Sequence, residues 1–101
     1  MKAAGTITSM AELRREIDRV DSDLVALLAE RCRYIDRAVA LKPAEGMSAR
    51  IGARVEQVVA NVRQCAVLNG LEPELVETVW RLLIDWSIRR EEAVLGPSVQ
   101  D

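Results

Sequence analysis

Between Ser9 and Pro43 the chain contains neither glycine nor proline, and its apolar residues recur at spacings of three, four and seven. Leu13, Ile17, Val20, Leu24, Leu27, Leu28, Ile35, Ala38 and Leu41 therefore share one stripe of a 3.6-residue helix. The pattern predicts a helix over about residues 10 to 41, roughly 45–50 Å long at 1.5 Å per residue. Ser9 opens it as N-cap, with Glu12 at N3 completing a capping box. A chain of 101 residues makes one domain. The radius of gyration of such a domain is about 13 Å, so the helix overshoots its own globule. Its stripe persists past Ile35, and something must cover the far end. Pairing with a second copy of the chain is the simplest cover, and a solvated helix end is the alternative.

Breaker residues concentrate next in Pro43 through Ser48. Ser48 is placed to N-cap a second helix, which Gly52 weakens in its first turns. That helix carries Ile51, Val55, Val58, Val59, Val62, Ala66 and Leu68, and Asn69-Gly70 stops it. Glu72-Pro73 starts a third helix with proline in the first turn. Val76, Val79, Trp80, Leu83, Trp86 and Ile88 form its apolar side, and it stops near Gly96-Pro97. No strand pattern or repeat is present, so the expected fold is all-α with three helices. Residues 9–96 form the helical domain, 1–8 a disordered N-terminal tail and 97–101 a C-terminal tail.

Composition removes several chemistries. Hydrophobic residues make up 50% and aromatics only 3%, without Phe, so the core is built of Val, Leu, Ile and Ala. There is no His, hence no His base, His triad or His-ligated metal. Cys32 and Cys65 are too few for a metal knuckle or a disulfide framework and read as reduced thiols in a cytoplasm. A net charge of −2 gives no attraction to nucleic acid or an anionic membrane. No uncharged apolar run approaches the ~20 residues of a membrane span. The N-terminal MKAAGTITSM lacks the apolar core of a signal peptide.

The cations are unusual in kind and place. Two lysines, Lys2 and Lys42, stand against twelve arginines. Heptad extension of the seam Leu13-Ile17-Val20-Leu24 reaches Arg31, and Lys42 lies eleven residues later on nearly the same face. Two inward cations lose hydration and need anions. Internal carboxylates, snorkelling or a bound anionic ligand would each meet that need. Arg14 lies 17 residues before Arg31, about 25 Å along the axis. One helix cannot wrap both around one small ligand, whereas two antiparallel copies can. A surface pair of Arg14 with Asp18 is the plain alternative. Arg50 and Arg54 fit an exposed face, Ser87 and Glu91 a solvent-facing turn, and Trp80, Trp86 and Tyr34 packing.

The run LRREIDRVDSDLVALLAERCRYIDRAVALK resembles the first helix of the all-helical chorismate mutases. The matching elements are Leu13-Arg14, the Ile17/Asp21 pair, the leucine-rich turn ending Glu30-Arg31, and Lys42. An arginine just after the following loop, the Asn69-Gly70-Leu71 turn and the ending LLIDWSIRREE extend the likeness over residues 9–95. The resemblance implies an intertwined homodimer with two sites, each drawing on both chains. Arg14 would reach across from the partner and join Arg31 and Arg54 on a small dicarboxylate. Lys42 would hydrogen-bond the ether oxygen of chorismate, Glu91 would stand on its other side, and Ser87 near the ring. The implied reaction, chorismate to prephenate, is pericyclic and uses no nucleophile, proton transfer, metal or cofactor. Glu91 can donate there only as the neutral acid.

Two positions depart from that pattern. Many chorismate mutases carry acidic residues where this chain has Ile51 and Val55. Their loss, with IDRVDSDLV, Tyr34 and Arg54-Val55, resembles the sister isochorismate–pyruvate lyases that make salicylate. Glu91 in place of Gln, and Ser87, are closer to the mutases, which is the reading preferred. A non-catalytic helical dimerisation module with structural arginines stands as the alternative from another class. What separates it is whether Arg14, Arg31 and Lys42 surround an open pocket or are neutralised by protein carboxylates.

Overall fold

The computed structural model describes residues 3–98; Lys2 and the ends of both predicted tails, 1–2 and 99–101, lie outside the described residues. A short 3-10 turn, Ala4–Thr6, precedes three α-helices: α1 (Met10–Ala44), α2 (Gly52–Leu68) and α3 (Pro73–Leu95). The fold is all-helical with a long first helix, as the periodicity predicts. Among the described residues no helix is long and apolar enough to cross a membrane. The chain divides after Tyr34 into two compact units, with α1 running through the division.

In the first unit Ser9 caps α1 as expected: its hydroxyl accepts the Glu12 N–H at 3.2 Å, and its carbonyl the Leu13 N–H at 3.0 Å. The apolar stripe is present but uncovered. Ile17, Val20, Leu24, Leu27 and Leu28 are all exposed, Leu24 at 52%, and α1 as a whole contains no buried residue. Tyr34, expected to pack, is exposed as well.

The second unit begins at Ile35 and holds the core. Ala49, Val59, Ile84 and Ile88 are buried together, with Val55, Val58, Trp80 and Leu95 packed against them. α2 and α3 pair across residues 69–72. The stop at Asn69-Gly70 forms a Schellman turn: Leu71 N–H reaches the Ala66 carbonyl at 2.9 Å and Gly70 N–H the Val67 carbonyl at 3.2 Å, with Gly70 at φ 72°. Glu72 is the N-cap of α3 and Pro73 its first residue.

Three boundary and packing expectations change. α1 continues through Pro43 to Ala44, because Gly46 and Met47 fold back and satisfy its last carbonyls. Ser48 does not cap α2; its hydroxyl donates to the Arg50 carbonyl at 2.9 Å, and Ile51 stands at the N-cap without a side-chain bond. Leu68, Val79 and Trp86 are exposed rather than core, and the guanidinium of Arg90 lies over the Trp86 ring at 5.5 Å.

An alternating charge clamp joins α2 to α3. Arg63 donates to Glu77 at 2.7 Å and Glu74 at 2.9 Å, while Arg81 reaches Glu77 at 2.7 Å and Glu56 at 3.1 Å. The Arg81 guanidinium holds the carboxyls of Glu56 and Glu77 below the usual glutamate range. Groups titrating lower when folded stabilise fully above the unfolded carboxylate range, near pH ~4, and lose that contribution as pH falls through the lowered folded values. Thermal melts should give a similar Tm at pH 7 and pH 5 and a falling Tm toward pH 3. Arg81→Gln should shrink the acid-side fall; an unchanged fall in that variant contradicts the clamp's part in it.

Candidate functional site

Lys42 sits in the last turn of α1, where the helix stop and the candidate site are built from the same atoms. Its carbonyl accepts the Met47 N–H at 2.8 Å, and the Pro43 carbonyl accepts the Gly46 N–H at 3.1 Å. This is a Schellman turn with Gly46 at φ 70°, a left-handed conformation that favours glycine. The reversal sends residues 47–51 back past the lysine side chain. Lys42 Nζ donates to the Ala49 carbonyl at 2.6 Å and lies 2.8 Å from Glu91 Oε1 on α3.

Both charges are withdrawn from water: the Lys42 side chain is 18% exposed and that of Glu91 4%. The contact is Coulombic rather than a directed hydrogen bond, since Glu91 Oε1 has no donor in hydrogen-bond geometry among the described residues. Ser87, one turn earlier on α3, is also buried and donates its hydroxyl to the Leu83 carbonyl at 2.8 Å. Ser87 and Glu91 thus leave the solvent-facing positions expected of them. The signal was available in the spacing, because Glu91 follows the core residues Ile84 and Ile88 by seven and three and shares their face.

The structure joins Lys42 to Arg54 through one open recess, lined by Lys42, Met47, Ile51, Ala53, Arg54 and Gln57. Arg54 is exposed on α2 and donates to Gln57 Oε1 at 2.8 Å. Of the two apolar departures, Ile51 lines this recess, whereas Val55 packs against the core. Arg14 and Arg31 belong to the first unit. Arg14 is exposed, and no ion pair with Asp18 forms among the described residues. Arg31 is half-buried and already engaged.

Several contacts had no sequence signal, because they join residues far apart along the chain. Arg90 clamps Asp36 with two bonds, 2.6 and 3.0 Å, holding the Asp36 carboxyl below its ordinary value and fastening α3 to the turns of α1 before Lys42. Arg50 donates to Asp85 at 2.9 Å. The acceptor at Ala49 is a backbone carbonyl, which no side-chain motif encodes. Among the described residues no group of three or more His, Cys, Asp or Glu is placed to hold a metal ion.

The family model described as chorismate mutase type II matches residues 13–92, a span that includes Arg14, Arg31, Lys42, Arg54, Ser87 and Glu91. The isochorismate pyruvate lyase of Pseudomonas aeruginosa is 33% identical over 93 residues, covering 90% of this chain and 89% of that protein. The T-protein of Enterobacter agglomerans is 29% identical over 85 residues, covering 84% of this chain but 23% of that longer protein.

Removing one member of a buried ion pair strands the other. Lys42→Met should lower the unfolding free energy by about 3–5 kcal/mol, measured by urea denaturation at fixed protein concentration. Lys42→Met combined with Glu91→Gln should lose clearly less than the sum of the single losses. Additive losses would mean the two side chains are not energetically coupled.

Proposed function

The chain belongs to the chorismate mutase type II family, and we propose that it converts chorismate to prephenate with a site made from Lys42, Glu91, Arg14, Arg31, Arg54 and Ser87. The observation that carries this reading is the half-buried Lys42 ammonium, oriented by Ala49 and Glu91 beside a recess that Arg54 shares. The rearrangement breaks an ether C–O bond and forms a C–C bond within one molecule. It calls for no nucleophile, cofactor or metal. The protein must hold the enolpyruvyl side chain over the ring and stabilise negative charge growing on the ether oxygen. Lys42 supplies the opposing positive charge through an N–H not used by Ala49. Glu91, the ion-pair partner of Lys42 in this structure, can donate to the same oxygen only as the neutral acid, and Ser87 stands near the ring.

A dicarboxylate needs further cations, and this reading takes them from two chains. The catalytic domain, residues 9–96, acts as a homodimer in which Arg14 of one copy completes the Arg31 and Arg54 set of the other, in the cytoplasm. The exposed apolar stripe of α1 supports this, since Ile17, Val20, Leu24, Leu27 and Leu28 lie together on it without cover. A second reading, isochorismate to salicylate and pyruvate, is favoured by Ile51 in the recess and by the isochorismate pyruvate lyase relative.

Incubation with chorismate and, separately, isochorismate tests the proposal. Prephenate from chorismate is the expected product. Salicylate and pyruvate from isochorismate, without prephenate, would assign the second reading; neither product would leave a helical dimerisation module. Lys42→Ala should cost at least ~3 kcal/mol of transition-state stabilisation, lowering kcat more than it raises KM. Glu91→Gln, which always carries a donor, should keep activity, and Glu91→Ala should lose it; a Glu91→Ala variant as active as the wild type would remove Glu91 from the mechanism. Mixing inactive Arg14→Ala and Arg31→Ala subunits should restore one working site per heterodimer. Mixed dimers as inactive as their parents would separate the two arginines.

A further inference from the structure

The peptide unit joining Ala49 to Arg50 is gripped at both ends. Its carbonyl accepts from Lys42 Nζ at 2.6 Å, and its N–H donates to Ser98 Oγ at 2.8 Å. Ser98 is anchored in turn, because its own N–H donates to Glu92 Oε2 at 3.0 Å. Together the Ser98 hydroxyl and N–H hold the Glu92 carboxyl below its ordinary value. Glu92 adjoins Glu91, which faces Lys42 at 2.8 Å. The contacts close a ring: Lys42, the 49–50 peptide, Ser98, Glu92, Glu91 and Lys42 again.

A peptide unit is planar and rigid, so its carbonyl and N–H cannot be re-aimed independently. Tilting the N–H end moves the oxygen that orients the ammonium. Ala49 is 3% exposed, which leaves the plane little room to move at the Lys42 end. The Gly96–Ser98 segment reaches this position by leaving α3 at Gly96, whose φ of 85° turns the chain out of the helix. Hydrogen bonds in series also polarise one another, so donation to Ser98 makes the Ala49 carbonyl a better acceptor for the ammonium.

We propose that Ser98 is a positioning residue for Lys42, acting through the Ala49–Arg50 peptide plane and anchored by Glu92. Its catalytic consequence rests on the function proposed above; its structural consequence does not. The test uses the fact that the full chain has two lysines, Lys2 and Lys42. Competitive acetylation with limiting acetic anhydride, read by mass spectrometry, gives the Lys42 to Lys2 labelling ratio with Lys2 as internal reference. Ser98→Ala should raise that ratio severalfold, and Ser98→Thr, which keeps the hydroxyl, should restore it. With the substrate that the wild type turns over, Ser98→Ala should lower kcat about tenfold at nearly constant KM, and Ser98→Thr should recover it. An unchanged labelling ratio in Ser98→Ala overturns the proposal. So does an equal rise in Val76→Ala, a buried position outside the core cluster that holds Ala49, since that would be general loosening. A wild type inactive on both substrates defeats the function proposed above, while the labelling ratio still decides the role of Ser98.

Discussion

A lysine ammonium with less than a fifth of its side chain in water must be matched by charge, and much of the second unit is arranged around that need. Desolvating a cation and a carboxylate costs several kcal/mol each, so such a pair persists only where the surroundings return the loss. Here the return comes from three directions. Ala49 contributes a carbonyl, Glu91 a full negative charge, and the end of α1 the partial negative charge of its terminal carbonyls. Arg90 keeps α1 and α3 aligned by clamping Asp36, so the ammonium and the carboxylate meet at fixed separation.

The apolar surface tells a different story from the charges. Half of the chain is hydrophobic, and among the described residues six hydrophobic side chains are buried as core. Half of the exposed large hydrophobic residues lie on α1, which has no buried residue of its own. Between α2 and α3 the arginine–glutamate clamp supplements this small core. Exposed ion pairs contribute little singly, and more as a network sharing Arg81 and Glu77.

Helix existence was legible because it depends on local rules. The Ser9 cap, the glycine stop at Gly70 and the proline start at Pro73 are each decided within a few residues. The errors arose where distant contacts overrule those rules. Ser48 has the chemistry of a cap, but the segment it opens is held outside the helix by Lys42 on one side and Ser98 on the other. Pro43 has the chemistry of a stop, yet N–H groups from Gly46 and Met47 carry the helix past it. Of the candidate site, Lys42 was legible as a cation on an apolar face. Its partner Glu91 fits a solvent-facing turn by its acidity and is set opposite Lys42 by the resemblance, although its spacing from Ile84 and Ile88 already puts it on their buried face. The Ser98 link could not be read at all, since it joins positions 48 residues apart through a backbone N–H.

Lys42 both carries the ammonium and accepts the Met47 N–H that ends α1. The placement of the charge is therefore counted from the end of the helix, not from its beginning. Insertions or deletions near Ser9 would alter how far α1 extends while leaving Lys42 in register with its own stop, with Ala49 and with Glu91. The seven positions from Lys42 to Ala49 have no such latitude, because one residue more or fewer would carry the carbonyl away from the ammonium. Length variation in proteins of this build should accordingly be tolerated at the start of the long helix and refused in the short reversal that follows it.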